Sequence, residues 1–598
     1  MPNNDLFSSQ LETRNSKPQP VECLGMTFPN DEERRKHFLG ILREKLKDPE
    51  FRKIEGFPIG SDEDILALSD PPYYTACPNP FIADFIKHYG KPYDPSKPYS
   101  REPFAADVSE GKNDPIYNAH SYHTKVPHKA IMRYILHYTE PGDVVFDGFC
   151  GTGMTGVAAQ LCGDRATVES LGYKVDDAGT IYQPEQNENG KTVWKPFSKL
   201  GARRAVLNDL SPAATFIAYN YNTPVDVRAF EREANRILKD VEAECGWMYA
   251  TLTTTAANEA TTWAEKLRAC RTADEARALI ASIPHRGTIN YTVWSDVFVC
   301  PDCTEEVIFW HAAVDKEAGK VRDEFPCPHC GARLTKRSME RAWVTTYDKA
   351  IGQTIRQARQ VPVLINYSVG SKRAEKEPDA FDLALIEKIE ALDIPYWFPT
   401  DRMPEGEESR RNDDIGITHV HHFYTKRNLW VLGALRHRAN AKGLLSLHYW
   451  LNSLDHGLGK RVKHGNWSFP MSILSGTLYI PALSRENHPL YFFETKRQKQ
   501  ARALREAKGQ GNTVATHSSD IGSAVNNSID YIFTDPPFGG NLMYSELNFL
   551  WEAWLKVFTN NKPEAIENKV QGKGLPEYQR LMTECFKEYY RVLKPGRW

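Results

Sequence analysis

Apolar and polar positions follow one another along this chain in blocks that predict strands followed by helices. From Gly142 the sequence GDVVFDGFCGTGMTGVAAQL contains an apolar run, a glycine-rich turn and a row of small residues, which is the pattern of a strand, a loop and a helix. The sequence ARRAVLNDLSPAATFIAYNYN repeats this order, with a strand over residues 205–207 and a helix after Ser211-Pro212. Two successive strand–helix units predict a parallel sheet.

The same pattern resumes roughly 300 residues later. Residues 512–520 predict a third strand, and residues 528–538 (SIDYIFTDPPF) predict a fourth. Two segments with helical apolar spacing follow, and the second stops at Lys594-Pro595-Gly596. A further strand is expected there, but the sequence ends at Trp598. We therefore expect a sheet without its last strands, in a chain truncated at its C-terminus.

These changes of pattern divide the chain into six predicted segments. They are a tail and lead-in (1–60), a first part of an α/β domain (61–228), a helical insertion (229–295), a cysteine-rich segment (296–345), a segment rich in aromatic and basic residues (346–510) and a second part of the α/β domain (511–598). The predicted fold class is a Rossmann-like α/β domain split by a large insertion. The polar N-terminal stretch predicts a disordered tail.

Composition narrows the functional classes. A chain of 598 residues is too long for one hydrophobic core, so several domains are expected. The formal net charge of −2 means that nucleic-acid binding would depend on local basic surface. The sequence has neither a run of 18 apolar residues nor a basic start followed by an apolar stretch, so we expect a cytoplasmic protein without membrane contact.

Four of the eleven cysteines form a spaced cluster. Cys300, Cys303, Cys327 and Cys330 make two CxxC knuckles separated by 23 residues, which predicts a tetrahedral zinc site within a zinc ribbon. Four thiolates leave no open coordination position, so the zinc would be structural. A pair of disulfides is the weaker alternative in a reducing compartment. The ribbon could help to read DNA or only brace the fold.

A glycine-rich turn follows the first predicted strand, from Asp147 to Gly153. Glycines let the backbone approach a ligand closely, and the start of a helix favours a carboxylate or phosphate. Alone, this turn is typical of any Rossmann-like nucleotide binder. Asp209 ends the next strand, where it could accept hydrogen bonds from ribose hydroxyls. The alternative is that Asp209 caps the following helix.

The tetrapeptide Asp535-Pro536-Pro537-Phe538 directly follows the fourth predicted strand. Two prolines fix φ and remove two donors, so the loop is stiff and its carbonyls are free to accept. An aspartate and a proline carbonyl could together accept both N–H bonds of an exocyclic amine and localise its lone pair for attack on a methyl sulfonium. Phe538 could stack on an extruded base, a contact worth about 1–3 kcal/mol. The alternative is a turn that merely ends the strand.

Together, strand-DGFCGTG-helix, strand-NDLSP, strand-SSD and strand-DPPF resemble, in content and order, the N6-adenine and N4-cytosine DNA methyltransferase family of bacterial modification and phage-defence systems. The resemblance covers residues 130–228 and 511–598. It implies S-adenosylmethionine as cofactor, double-stranded DNA as substrate and partner subunits of a restriction or phage-defence system.

The resemblance also implies roles for individual residues. The cofactor would be held by Asp147, Phe149, Gly151, Gly153, Asp209 and the loop that ends at Asp520, and the target base by Asp535, Pro536, Pro537 and Phe538. Residues 122–127 resemble the family's cofactor-flanking segment, although an ordinary helix lead-in explains them equally well.

Three features depart from the family pattern. Gly148 stands where many members have proline, and the insertion precedes the third strand, which leaves the permutation class open. A second tetrapeptide, Asp70-Pro71-Pro72-Tyr73, competes for the catalytic role, because in one circular permutation the tetrapeptide precedes the glycine loop. Only about 70 residues without clear strands separate it from Gly142. We therefore favour Asp535 and expect Asp70 to line the same groove.

The predicted reaction is methylation of adenine N6, because the tetrapeptide begins with Asp where cytosine-modifying relatives more often have Ser. Cytosine N4 is the nearest alternative, followed by a non-catalytic DNA-binding or specificity component and by methylation of RNA or of a protein amide. Three basic stretches, residues 419–430, 459–467 and 495–508, could contact DNA phosphates, although the last is also typical of a solvated helix face. The three histidines of residues 418–422 show no ligand spacing.

Overall fold

The computed structural model describes residues 20–453, 455–464, 473–507, 513–517 and 524–598. Two sequence predictions therefore lie outside the described residues: the disordered tail over residues 1–19 and the cofactor loop that ends at Asp520.

Helices and strands alternate through the first and last parts of the chain, and most strands lie in its middle. The helices are α1 (Asp31–Leu46), α2 (Pro49–Arg52), α3 (Asp62–Leu68), α4 (Ile82–Tyr89), α5 (Pro115–Asn118), α6 (His128–Tyr138), α7 (Met154–Leu161), α8 (Arg165–Ser170), α9 (Pro212–Asn222), α10 (Val227–Cys245), α11 (Ala260–Ala269), α12 (Ala273–Ala281), α13 (Phe309–Ala313), α14 (Ala380–Ala391), α15 (Lys426–Asn440), α16 (Leu445–Asn452), α17 (Asp455–Leu458), α18 (Pro489–Ala507), α19 (Tyr544–Leu555) and α20 (Leu575–Val592).

The strands are β1 (Val21–Cys23), β2 (Met26–Phe28), β3 (Tyr74–Thr75), β4 (Val144–Asp147), β5 (Lys174–Val175), β6 (Thr180–Gln186), β7 (Thr192–Lys199), β8 (Arg204–Asp209), β9 (Ala250–Leu252), β10 (Arg286–Val299), β11 (Glu306–Ile308), β12 (Val314–Asp315), β13 (Lys320–Val321), β14 (Glu324–Pro326), β15 (Arg333–Thr335), β16 (Glu340–Arg341), β17 (Trp343–Asp348), β18 (Gln353–Ala358), β19 (Gln360–Val369), β20 (Lys372–Lys376), β21 (Leu483–Asn487), β22 (Thr513–His517) and β23 (Tyr531–Ile532).

A parallel sheet of five strands, in the order β23-β4-β8-β22-β3, forms the centre of the α/β part. Val145 of β4 lies between Tyr531 of β23 and Ala205 of β8. All four residues of β4 are buried, as expected for a strand that helices cover on both faces. The predicted parallel pairing of the first two strands is therefore present.

Alternate residues of the central strands face two different cores, because successive side chains of a strand point to opposite sides. Val145, Ala205 and Leu207 pack with side chains of α6, α7 and α9. Val144, Phe146 and Val206 pack with side chains of α4 and α20. The sheet is thus the middle layer of a three-layer α/β/α arrangement.

The chain between β8 and β22 forms a large insertion with its own sheet. The long strand β10 pairs with β9, β11, β16, β19 and β21. It crosses the segment boundary predicted between residues 295 and 296. Helices α10–α12, α14 and α15 share one hydrophobic core with Leu547, Leu550 and Trp554 of α19. The insertion therefore packs directly on the helix that follows the DPPF tetrapeptide.

The segment before the glycine loop differs from the prediction. The apolar run before Asp70 is helical, since it belongs to α3. The stretch expected to lack strands contains β3, which pairs with β22 at the edge of the sheet opposite β23. After α20, Leu593 bridges Ile529 in parallel, and the Ile532 N–H donates to the Trp598 carbonyl at 3.0 Å, so residues 593–598 run beside β23 without forming the expected strand. Within the described ranges, every helix is too short or too polar to cross a membrane.

Candidate functional site

A cavity lies where β4, β8 and β23 end. Because the three strands are parallel, their carboxyl ends meet at one edge of the sheet, and the loops that follow them form the cavity wall. The predicted site residues that line it are Asp147, Phe149, Gly151, Asp209, Asp535 and Pro537. The structure therefore brings the glycine loop (residues 147–153) and the tetrapeptide loop (residues 535–538) together.

The two glycines of the glycine loop have different surroundings. Gly151 has φ +48° and donates its N–H to Asp209 Oδ2 at 2.9 Å. Gly153 has φ +74°, and a Cβ there would come within 2.6 Å of the Ala218 Cβ on α9. Gly153 does not line the cavity, where the sequence predicts it to hold the cofactor. Its missing side chain instead lets α7 and α9 approach each other closely.

Asp209 joins the glycine loop to the loop that follows β8. Its second oxygen, Oδ1, accepts from the Ser211 N–H at 3.0 Å. Helix α9 is capped by Ser211, whose side chain accepts from the Ala214 N–H, and not by Asp209. The alternative interpretation of Asp209 as a helix cap is therefore wrong.

The cavity wall is acidic and partly buried. Burial raises the pKa of Asp147 to about 7 and that of Asp209 to about 6, and it also raises the pKa of Asp535. Glu564 and Glu588 add two further carboxyls. A wall of this kind suits a cationic ligand, whose charge stabilises the ionised carboxylates.

Two other wall residues bear on which ligand the cavity could hold. Lys125 is the one lysine or arginine among the described wall residues, and its Nζ donates to the carbonyls of Tyr117 and His120, while burial lowers its pKa to about 7. The buried hydroxyl of Thr152 has no hydrogen-bond partner among the described residues. A ligand with a positive charge near the wall carboxylates and a polar group near the Thr152 hydroxyl would fit this cavity, as S-adenosylmethionine would.

The tetrapeptide loop is held from helix α20. The Tyr578 hydroxyl donates to the Pro537 carbonyl at 2.7 Å, and the Tyr589 hydroxyl lies 3.0 Å from Thr534 Oγ1. Phe538 is 64% exposed, and neither Phe538 nor Pro536 lines the cavity. Phe538 therefore projects from the loop into solvent.

Sequence reasoning missed the contribution of α20. Tyr578, Met582, Cys585 and Tyr589 have the spacing i, i+4, i+7 and i+11, which places them on one face of the helix. Cys585 and Tyr589 line the cavity. A Cβ at Gly148 would overlap the Tyr589 hydroxyl, so only glycine fits at this position. The helical spacing was visible in the sequence, but the loop that it faces was not.

The segment before α6 also reaches the cavity. Tyr122, Thr124, Lys125 and Val126 line it. Asn548 of α19 fixes this segment, because its Nδ2 donates to Tyr122 Oη at 3.1 Å and its Oδ1 lies 2.9 Å from His123 Nε2. The segment therefore flanks the cavity in space as well as in sequence.

The rival aspartate, Asp70, lies elsewhere. It is 5% exposed, and its carboxylate accepts from Arg34 Nη1 and from Tyr219 Oη, both at 2.8 Å. It precedes β3, so it lies at the amino end of its strand, whereas Asp535 follows the carboxyl end of β23. The expectation that Asp70 lines the same groove is wrong, since Asp70 is not part of the cavity wall.

The four clustered cysteines converge in the insertion. Their Sγ atoms all lie within 4.8 Å of one another, with Cys300–Cys330 and Cys303–Cys327 separations of 3.8 Å. A disulfide would need about 2.0 Å. Tetrahedral zinc with Zn–S bonds of about 2.3 Å requires sulfur atoms about 3.8 Å apart. The geometry fits a metal site with four thiolate ligands.

The basic stretch over residues 419–430 is largely buried, which contradicts its prediction as a DNA-binding surface. Arg427 forms a buried ion pair with Glu486. Asp348 Oδ2 accepts from His421 Nε2 at 2.7 Å and from His422 Nε2 at 2.9 Å. These histidines and Asp348 lie close enough to hold a metal ion, but His422 Nδ1 accepts the Thr418 N–H at 3.2 Å, so its Nε2 carries the proton. That proton forms the hydrogen bond from His422 Nε2 to Asp348 Oδ2, so hydrogen bonds hold the three side chains together.

The other two basic stretches behave differently. Residues 495–507 lie on α18, where the exposed Arg502 pairs with Glu506 and the exposed Arg505 pairs with Glu231, as on a solvated helix face. In residues 459–464, the buried Arg461 donates to the Thr477 carbonyl. Residues 465–467 lie outside the described part of the chain.

Comparison with known proteins adds one match. A family model described as "DNA methylase" matches residues 58–178, which contain the glycine loop and Asp70 but neither Asp209 nor Asp535. Searches of curated proteins and of solved structures gave no match. The matched segment supports an amino-methyltransferase that acts on DNA. This chain thus resembles the N6-adenine and N4-cytosine DNA methyltransferases, as its motifs predict.

Proposed function

We propose that this protein is an S-adenosylmethionine-dependent DNA methyltransferase that modifies adenine N6. The observation that carries the proposal is the meeting of the glycine loop, Asp209 and Asp535 in one cavity at the carboxyl edge of a parallel sheet. The fold would be a Rossmann-like domain split by the insertion between β8 and β22. A cytoplasmic modification or phage-defence system is the setting that the resemblance implies.

The glycine loop and Asp209 would hold the cofactor, which supplies a methyl group on a sulfonium. Gly151 brings the backbone close to the cavity, and Asp209 keeps carboxylate lone pairs available beside it for ribose hydroxyls. The carboxylates of Asp147 and Asp209 would stabilise the positive charge from a partly buried wall. The acidic wall would also favour the charged cofactor over its neutral product.

Asp535 and Pro536 would hold the amine of the target base. The Asp535 carboxylate accepts one N–H and the Pro536 carbonyl accepts the other, so the nitrogen lone pair turns out of the plane of the ring and can attack the methyl group. The ionised carboxylate accepts this N–H more strongly than a protonated carboxyl or a neutral amide oxygen would. The N–C bond forms as the bond between the methyl group and the sulfonium sulfur breaks, and the methylated nitrogen then releases a proton to the Asp535 carboxylate. The exposed ring of Phe538 stands beside the loop, where a base extruded from the duplex could stack on it.

The insertion would contact double-stranded DNA. It packs on α19, the helix that follows the tetrapeptide loop, so a duplex bound to it would lie next to the cavity. Its cysteine cluster would hold a structural zinc ion, since four thiolates complete a tetrahedral shell.

The test uses purified full-length protein, tritiated S-adenosylmethionine and unmethylated genomic DNA of mixed sequence, followed by mass spectrometry of the nucleosides. We expect N6-methyladenine from the wild type and at least about a ten-fold lower rate from Asp535→Asn, whose neutral amide oxygen accepts the amine N–H more weakly. The matched control is Asp70→Asn, which removes a carboxylate outside the cavity. All variants are checked for folding by circular dichroism and for cofactor binding by calorimetry.

Three results would contradict parts of this proposal. Full activity in Asp535→Asn together with lost activity in a folded Asp70→Asn would move the catalytic site to the other tetrapeptide. N4-methylcytosine as the product would replace adenine by cytosine. A wild type that binds DNA but transfers no methyl group would make the chain a specificity component.

A further inference from the structure

Helix α20 presents two tyrosines to the two ends of the tetrapeptide loop. Tyr578 donates to the Pro537 carbonyl at 2.7 Å, and the Tyr589 hydroxyl lies 3.0 Å from Thr534 Oγ1, one residue before Asp535. The two tyrosines are eleven residues apart and so lie on one face of the helix. Residues 534–537 are therefore held at both ends by a single rigid element.

The contact with Tyr578 distinguishes the two proline carbonyls of the loop. Neither proline can donate, so each contributes an acceptor only. Tyr578 occupies the carbonyl of Pro537, whereas no described residue donates to that of Pro536. Of the two, the Pro536 carbonyl belongs to the residue next to Asp535 and has no competing donor among the described residues, which makes it the better acceptor for an amine beside the Asp535 carboxylate.

We propose that Tyr578 is a positioning residue for methyl transfer. By binding the Pro537 carbonyl, its hydroxyl fixes the orientation of the peptide planes in the loop and leaves Asp535 and Pro536 as the acceptor pair. Tyr589 fixes the other end and fills the space above Gly148. This inference rests on the proposed function, and it concerns a residue that touches neither the cofactor nor the reacting nitrogen.

The hydroxyl of Tyr578 can be separated from its ring. The ring packs with Phe149, Ala565, Leu581 and Met582, and phenylalanine keeps those contacts. Removal of the hydroxyl leaves the carbonyl of Pro537, a residue of the cavity wall, as a stronger competing acceptor and lets the loop shift. A misplacement of about 1 Å costs up to about 100-fold in rate. The loss should therefore appear in kcat while cofactor binding is preserved.

The experiment compares Tyr578→Phe with Tyr590→Phe, a control on the same helix whose side chain is 88% exposed. Steady-state kinetics with tritiated S-adenosylmethionine and unmethylated genomic DNA give kcat and KM, and calorimetry gives the Kd for S-adenosylmethionine. We expect kcat to fall about ten-fold or more in Tyr578→Phe, with the Kd unchanged within about two-fold and no rise in the KM for DNA. Tyr590→Phe should match the wild type.

Several outcomes would overturn the inference, and they separate it from the proposed function. Unchanged kcat in a Tyr578→Phe variant of an active enzyme would refute the positioning role alone. A parallel loss of cofactor affinity would assign Tyr578 a structural role in the cavity. A wild type that binds S-adenosylmethionine but does not methylate DNA would refute the proposed function, and the positioning role with it.

Discussion

Glu546 on α19 joins the insertion to the α/β part. Its replacement by glutamine tests how much the carboxylate stabilises this contact. The side chain is fully buried, and its carboxylate accepts the backbone N–H groups of Glu407, Glu408 and Ser409 at 3.2, 2.7 and 2.7 Å. It also accepts from Ser409 Oγ at 3.1 Å and from Asn568 Nδ2 at 2.6 Å. All five partners are donors, so the site is built for a carboxylate.

The free energy that Glu546→Gln would remove from this junction follows from the donors that the substitution leaves without an acceptor. The amide oxygen can replace Oε2, which accepts three of the five bonds, but the amide NH₂ then faces the Glu407 N–H and the Asn568 amide. Two hydrogen bonds to a charged group are lost, at about 1.5–3 kcal/mol each, or about 3–6 kcal/mol in total. Since 1.4 kcal/mol corresponds to a factor of ten, opening of the 404–410 loop should become about 10²–10⁴-fold more frequent.

Hydrogen exchange measured by mass spectrometry reports this opening directly, because a chain of several domains has no single free energy of unfolding. Peptides that cover residues 404–412 should exchange faster in Glu546→Gln by that factor, or until they reach the rate of an unstructured peptide. Glu405→Gln is the matched control, since Glu405 lies in the same loop with its side chain 75% exposed. Exchange within about three-fold of the wild type in a folded Glu546→Gln protein would refute the reasoning.

Two further predictions concern the cavity and the cysteine cluster. Burial raises the pKa of Asp209 to about 6 and that of Asp147 to about 7, so a cationic cofactor must displace protons from these carboxyls at low pH. Calorimetry should therefore show an affinity for S-adenosylmethionine that is at least about three-fold weaker at pH 5.5 than at pH 7.5. An affinity that does not change with pH would argue against contact between the cofactor and these carboxyls. Plasma emission spectrometry should find one zinc ion per chain. The Cys303→Ser variant should lose this zinc, whereas the Cys270→Ser variant, changed outside the cluster, should keep it. Equal zinc content in both variants would exclude the predicted ligands.

Residues that directly follow a buried strand were predictable from the sequence. Asp209 and Asp535 each come after an apolar run, and the carboxyl ends of parallel strands converge, so their meeting follows from local pattern and sheet geometry. Tyr578 was not predictable in this way. Its spacing on α20 is that of any core-facing helix, and nothing local shows that the face lies against residues 534–537.

The wrong prediction of residues 419–430 as a DNA-binding surface has a different cause. Arg427 and His421 look like surface residues in the sequence, because lone basic side chains are rarely buried. Their partners, Glu486 and Asp348, lie 59 and 73 residues away along the chain. Burial of a charge depends on such a partner, and long-range pairing leaves no periodic signal. The interpretation of Asp70 failed for the same reason, since Arg34 and Tyr219 satisfy its carboxylate.

The position of the insertion between β8 and β22 also sets the order in which the polypeptide can fold during synthesis. β8 receives its neighbour β22 only after roughly 300 further residues have left the ribosome, which takes about 15–60 s at 5–20 residues per second. During that interval β4 and β8 can pair with each other but expose both outer edges, which are sites of aggregation. Slow closure of the central sheet makes this chain a candidate for chaperone-assisted folding, with the insertion assembling first.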